Sequence, residues 1–124
     1  AVSEIDSAIE IASKVVPIAT PSTLIAVAGT ATTVAAAAMN LESYDRDVIH
    51  LSRIKAIDVE RISNQFLNMN AAERGELPYM HPGRKDVIAS GALILNRIMY
   101  ATGASEFVAS EHDILDGMAW SLAH

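Results

Sequence analysis

The sequence contains no cysteine, which excludes disulfides and a thiol nucleophile and is compatible with any compartment. It has no apolar run long enough to cross a bilayer: the longest stretches, around Leu24 and Leu93, are broken by Gly, Thr, Ser or Asn well short of that length. It lacks a basic segment leading into an apolar one, since Ala1-Val-Ser-Glu-Ile-Asp6 is acidic and amphipathic; a cytoplasmic address is the default expectation. It does not open on methionine, which suggests an excised piece, although methionine removal before alanine is common. Positive charge is scarce too. Nine Lys and Arg stand against fifteen Asp and Glu, a net charge of −6, so the overall field repels a long polyanion and extended nucleic-acid binding is disfavoured. The compact basic cluster that remains is Arg84-Lys85. There is no Gly-x-Ser-x-Gly elbow either, so nucleophilic catalysis from these residues is not expected.

What is present is a 124-residue chain, 51% hydrophobic, sized for one globular domain with a modest core. Its organising stretch runs from Thr23 to Met39. Leu24 to Ala28 is an unbroken apolar run that suits a strand buried on both faces. Thr30-Ala-Thr32-Thr33 then leads into four alanines, the residue with the highest helix propensity. In an open α/β sheet such a junction lies at the carboxyl end of the strand, where ligands bind. The helix start offers free N–H groups and the positive end of its dipole to a phosphate or carboxylate. Gly29 lets the backbone come close, and the threonine hydroxyls can cap the helix or donate to an anion. A Gly-Thr pair also serves as a plain turn with its cap, so both readings stay open.

Upstream, Ile5, Ala8, Ile9, Ala12, Val15 and Val16 share one helical face over residues 3–16, and Pro17 and Pro21 enforce a break. Downstream, partial alternation predicts a short peripheral strand from Val48 to Ser52. Asp58 reads as the cap of a helix reaching Phe66 or Met69, and Asn70 as the cap of one further turn ended at Gly75. The Pro-framed loop from Leu77 to Asp86 delivers Arg84 and Asp86 to a long helix expected over 84–102, apolar on most sides and ended by Gly103. Gly91 inside it is expected to admit a close neighbour or a ligand. Glu106 to Ser110 reads as a second buried strand, followed by capping residues Glu111-His112-Asp113 and a helix over 114–122 containing Gly117. If the two strands are parallel neighbours, the turns at Gly29-Thr30 and Ser110-Glu111 share one sheet edge. His50, His81 and His112 recur every 31 residues, but their surroundings share nothing and no pair has zinc-motif spacing, so the interval is taken as coincidence. Arg84 and Asp86 read either as a helix-start ion pair or as an arginine contacting phosphate with the acid orienting it.

Together, Ala26-Val-Ala-Gly29-Thr30-Ala-Thr32-Thr33, then His81-Pro-Gly-Arg84-Lys-Asp86-Val-Ile-Ala-Ser-Gly91, then Ser110 with Asp116-Gly117, resemble the exopolyphosphatase/guanosine pentaphosphate phosphatase (Ppx/GppA) family from Ala8 to Leu122. The resemblance implies an α/β fold: a partial actin-like (ribonuclease H-like) ATPase lobe, mainly helical with a short, mostly parallel sheet. Residues 1–124 would be part of the second lobe, with the first lobe, the glutamate that activates water and a glycine-rich phosphate turn all upstream. It implies phosphate contacts from Gly29, Thr30, Thr33 and Arg84, with Asp86, Gly91, Ser110 and Gly117 behind them. It implies no catalytic group or metal ligand in this chain. An Arg-Glu-Gly is usual in the family where this chain has Leu115-Asp116-Gly117, which puts in doubt any substrate contact from Leu115. The implied parent hydrolyses phosphoanhydride bonds of polyphosphate or a guanosine alarmone with Mg²⁺, without membrane attachment, and a homodimer is compatible with it. This chain alone would be inactive. A nucleotide-binding lobe of an actin-like kinase and a non-catalytic interaction domain are the alternatives.

Overall fold

The structure, a computed structural model, describes residues 2–16, 18, 23–112 and 114–123. In chain order the elements are α1 (Val2–Ser13), β1 (Ile25–Val27), α2 (Ala28–Ala38), α3 (Arg46–Ile49), β2 (Arg53–Lys55), α4 (Ala56–Asn68), α5 (Ala71–Gly75), α6 (Ile88–Thr102), β3 (Glu106–Ser110) and α7 (Ile114–Ala123). Pro17 and Pro21, expected to break the first helix, and Asp113, expected to cap the last, lie outside the described residues.

The three strands form one mixed sheet in the order β1-β3-β2. β1 runs parallel to β3 with Val27 opposite Ser110, and β2 runs antiparallel to it with Ile54 opposite Phe107. The parallel pairing sets the carboxyl ends of β1 and β3 side by side, so the Gly29 and Glu111 turns do share one edge.

α2 fills the middle of the molecule. Its seven consecutive residues Ala31 to Ala37 are all buried, which explains the alanines: a helix enclosed on every side needs small side chains if its neighbours are to pack against its backbone. α4 and α6 pack against each other and against α2, contributing Val59, Ile62 and Phe66 from α4 and Ile88, Ala92, Leu95 and Met99 from α6. Phe107 and Ala109 of β3 close the core from the sheet side. α1 lies on α6, held by Arg97 Nε and Nη2 donating to the two carboxylate oxygens of Asp6 at 2.8 and 2.7 Å.

Several expectations are corrected. The stretch Val48 to Ser52 is not a strand. Asp45 accepts hydrogen bonds from the backbone of Asp47 and Val48 and so caps α3; Leu51 then turns the chain at φ 64°, Leu51 and Ser52 exchange backbone hydrogen bonds with Ala109, and the strand itself runs only from Arg53. Five half-alternating residues are too few to outweigh a satisfied cap. Asp58 is the third residue of α4, not its cap, which is Lys55. The long helix begins at Ile88, four residues later than expected, because the Lys85 carbonyl accepts from Arg74 Nε at 2.8 Å and is drawn out of any helical ladder. Nor is that helix buried on most sides, since Ile94 and Tyr100 are exposed. β1 is not covered on both faces: Ile25 is 61% and Val27 51% exposed.

Candidate phosphate-binding cleft

β1 passes into α2 within one residue. Ala28 takes a left-handed φ of 71°, a conformation that costs a residue with a side chain about 1–2 kcal/mol, and strain of this kind concentrates at functional turns. Val27, the residue before the helix, provides no side-chain cap. The threonines do not cap it either: Thr32 Oγ1 donates back to the carbonyls of Ala28 and Gly29, 3.3 Å each. The N–H groups of the first turn are therefore left for a ligand or solvent.

Arg84 closes over this turn. A Cβ built on Gly29 would overlap the Arg84 guanidinium, so the glycine is where the arginine head rests. Among the described residues Arg84 makes no ion pair and no side-chain hydrogen bond, and the pairing with Asp86 at a helix start is not formed; Asp86 is exposed on the turn ahead of α6. Gly29, Thr33, Tyr44, Pro78, Tyr79, Met80, His81 and Arg84 line a cleft of about 400 Å³. Thr30 stands on the other side of the helix. A Cβ on Gly91 would lie 2.6 Å from Thr30 Oγ1 and 2.8 Å from its Cγ2, so Gly91 admits the Thr30 side chain, and only the backbone N–H of Thr30 belongs to the open helix end.

Two of the expected supporting residues make no hydrogen bond or ion pair with Arg84 or Gly29 among the described residues. Ser110 Oγ accepts from the His112 N–H and donates to its carbonyl, both at 3.1 Å, and so serves its own turn. Gly117 has nothing within 4 Å of where a Cβ would stand. The side chain of Leu115 is outside what the structure describes.

Two groups escaped the sequence reading, and two of the three histidines whose interval reads as coincidence come together. Arg74 donates to the carbonyls of Lys85, Phe66 and Met69 at 2.8–2.9 Å, tying α4 to the loop that carries Arg84. Tyr44, read as part of a polar loop, lines the cleft and donates its hydroxyl to Glu111 Oε1 at 2.6 Å; burial and that bond raise its phenol above the usual value. His50 and His112 stack with ring centroids 4.4 Å apart, and His50 Nδ1 accepts from the Glu111 N–H at 3.1 Å. No spacing rule signals the contacts among Tyr44, His50, Glu111 and His112, which lie 61 to 67 residues apart.

A sequence model of the Ppx/GppA phosphatase family matches residues 2–124. Exopolyphosphatase 2 of Mycobacterium tuberculosis is 39% identical over 119 residues, covering 93% of this chain and 37% of the relative. The crystal structure of an exopolyphosphatase-like protein superposes with a TM-score of 0.90 at 37% identity, over 98% of this chain and 41% of the other. The Aquifex aeolicus Ppx/GppA structure, at 20% identity, shares the fold with a TM-score of 0.76, over 98% of this chain and 42% of that one. The fold is thus the actin-like, ribonuclease H-like one. The chain belongs to the Ppx/GppA phosphatase family, and it spans about two-fifths of the length of these relatives. Among the described residues no helix is long and apolar enough to cross a membrane.

Proposed function

We propose that this chain forms one wall, a partial second lobe, of a phosphoanhydride hydrolase that releases orthophosphate from inorganic polyphosphate or guanosine pentaphosphate. The observation that carries the reading is the Arg84 guanidinium, without an ion pair among the described residues, resting on Gly29 at an uncapped helix start. A guanidinium and a first-turn N–H array are two donor sets suited to the same phosphate group.

Magnesium, expected for the full-length protein, finds no donor set here. Among the described residues no three His, Cys, Asp or Glu side chains come together to hold a metal, and Glu111, reached from the cleft through Tyr44, is already engaged by Tyr44 and Arg46. The proposed phosphate binding is carried by Arg84 and the first turn of α2 and uses no metal ligand from this chain. The catalytic base is likewise assigned to residues outside this chain.

Calorimetric titration with tripolyphosphate tests the reading. The chain binds it, and Arg84→Ala loses about 1.5–3 kcal/mol of charge-assisted hydrogen bonding, roughly 10- to 150-fold in affinity. The chain alone releases no phosphate; turnover that Arg84→Ala abolishes would refute the assignment of the base elsewhere. Protection of the Gly29 turn from hydrogen exchange by a nucleotide and not by tripolyphosphate would favour a kinase-like lobe.

A further inference from the structure

The cleft contains a second donor, His81, to which the family resemblance assigns no phosphate contact. We propose that His81 contacts the bound anion, donating Nε2–H to a phosphate oxygen beside Arg84; the inference rests on the anion-binding reading above and adds a residue to it. His81-Pro82-Gly83-Arg84 is a tight turn in which the Arg84 N–H donates to the His81 carbonyl at 2.8 Å. Proline at its second position presets the backbone. The turn sets its first and last residues side by side, and both line the cleft.

The neutral ring is set in one tautomer by its own backbone. The Gly83 N–H donates to His81 Nδ1 at 3.0 Å. A nitrogen that accepts an N–H carries a lone pair, so the neutral ring holds its proton on Nε2. Among the described residues nothing accepts a hydrogen bond from that Nε2–H. Gly83 has no left-handed φ, so backbone freedom does not explain the glycine. Space does: a Cβ there would stand 3.2 Å from His81 Nδ1 and 3.4 Å from Cε1. The glycine leaves room for an imidazole laid against the turn.

A neutral donor suits this place. It offers a hydrogen bond to an oxyanion without setting a second full positive charge against the Arg84 guanidinium.

Tripolyphosphate titration of four proteins tests this: the unaltered chain, Arg84→Ala, His81→Asn and His81→Gln. The asparagine carbonyl can replace Nδ1 as acceptor for Gly83 but has no donor at the reach of Nε2, whereas the glutamine amide nitrogen has one. His81→Asn should bind about 5- to 10-fold more weakly, with an unchanged melting temperature, and His81→Gln should recover at least half of that loss. In the unaltered chain, nitrogen NMR of the imidazole should show Nδ1 unprotonated and the Nε2 resonance moving as tripolyphosphate is added. If both His81 variants bind normally while Arg84→Ala does not, or if Nδ1 carries the proton, the role of His81 is refuted and the anion site stands. If Arg84→Ala binds as well as the unaltered chain, the site itself is refuted and His81 with it.

Discussion

Gly29→Ala is expected to weaken anion binding while leaving the fold intact. The position is the second residue of α2 and has no left-handed φ, so alanine can adopt its backbone; in a helix interior the exchange gains up to about 1 kcal/mol, and less in a first turn. The three atoms nearest to a new Cβ are Arg84 Cζ, Nη2 and Nε. All belong to the far end of a flexible side chain, which can swing away without disturbing the core. What is lost is the Arg84 contact to the ligand, about 1.5–3 kcal/mol for a charge-assisted bond, or roughly 10- to 150-fold in affinity. Urea melts and tripolyphosphate calorimetry on the same preparation read the two effects separately. A stability loss above about 2 kcal/mol, the size of ordinary overpacking, would show that the methyl group meets packed structure and not the tip of Arg84. Unchanged binding would show that Arg84 does not hold the anion where it rests on Gly29.

Gly91→Ala should behave in the opposite way. Its Cβ would meet Thr30 at Oγ1, Cγ2 and Cβ together, the last at 3.2 Å, so no single rotamer relieves the clash; an overpacking cost of about 1–3 kcal/mol less about 1 kcal/mol of helix propensity leaves a net loss of up to about 2 kcal/mol. A double-mutant cycle by urea melts with Thr30→Ala should show the loss largely removed, and strict additivity would contradict the packing argument. The docking of α1 should be acid-labile. The hydrogen bonds from Arg97, and then its charge, hold the Asp6 carboxyl below its usual value of 3.8, so this contribution is complete above the unfolded value and fades as pH falls through the lower folded one. The protection of α1 amides, relative to their intrinsic exchange rates, should fall below about pH 4, and Asp6→Asn should remove that pH dependence; a protection profile unchanged by the substitution would refute the link.

Local signals were legible where the deciding contacts are also local. Asn70 and Glu73 form a reciprocal capping box, with the Asn70 side chain accepting from the Glu73 N–H at 2.8 Å and Glu73 Oε1 from the Asn70 N–H at 3.0 Å, so α5 could be read from four residues. Gly103 ends α6 at φ 69° as a C-terminal glycine should. The start of α6 could not be read this way, because the group that removes the Lys85 carbonyl from the helix is Arg74, eleven residues back. The apolar run at β1 showed that the strand can be buried but not whether a neighbour covers it. The cleft divides along the same line. Gly29 and Arg84 are 55 positions apart in sequence, and only the family motifs join them; Tyr44 belongs to no motif and was missed.

A chain of net charge −6 needs a reason to bind an anion at all. At physiological ionic strength charges are screened beyond about 8–10 Å, so the distant carboxylates count for little and the groups at the cleft decide. Glu111 is the acid placed to oppose binding, since the parallel pairing of β1 and β3 brings its turn to the same sheet edge as Gly29. Its carboxylate is occupied on both oxygens: Tyr44 donates to Oε1, and Arg46 Nε lies 3.8 Å from Oε2 while Arg46 Nη2 donates to the Glu111 carbonyl at 3.2 Å. Tyr44 therefore does more than wall the cleft. Its hydroxyl, together with Arg46, engages the Glu111 carboxylate, while the Arg84 guanidinium makes no ion pair among the described residues and rests at an uncapped helix start, so the acidity of the molecule as a whole does not by itself exclude an anion there.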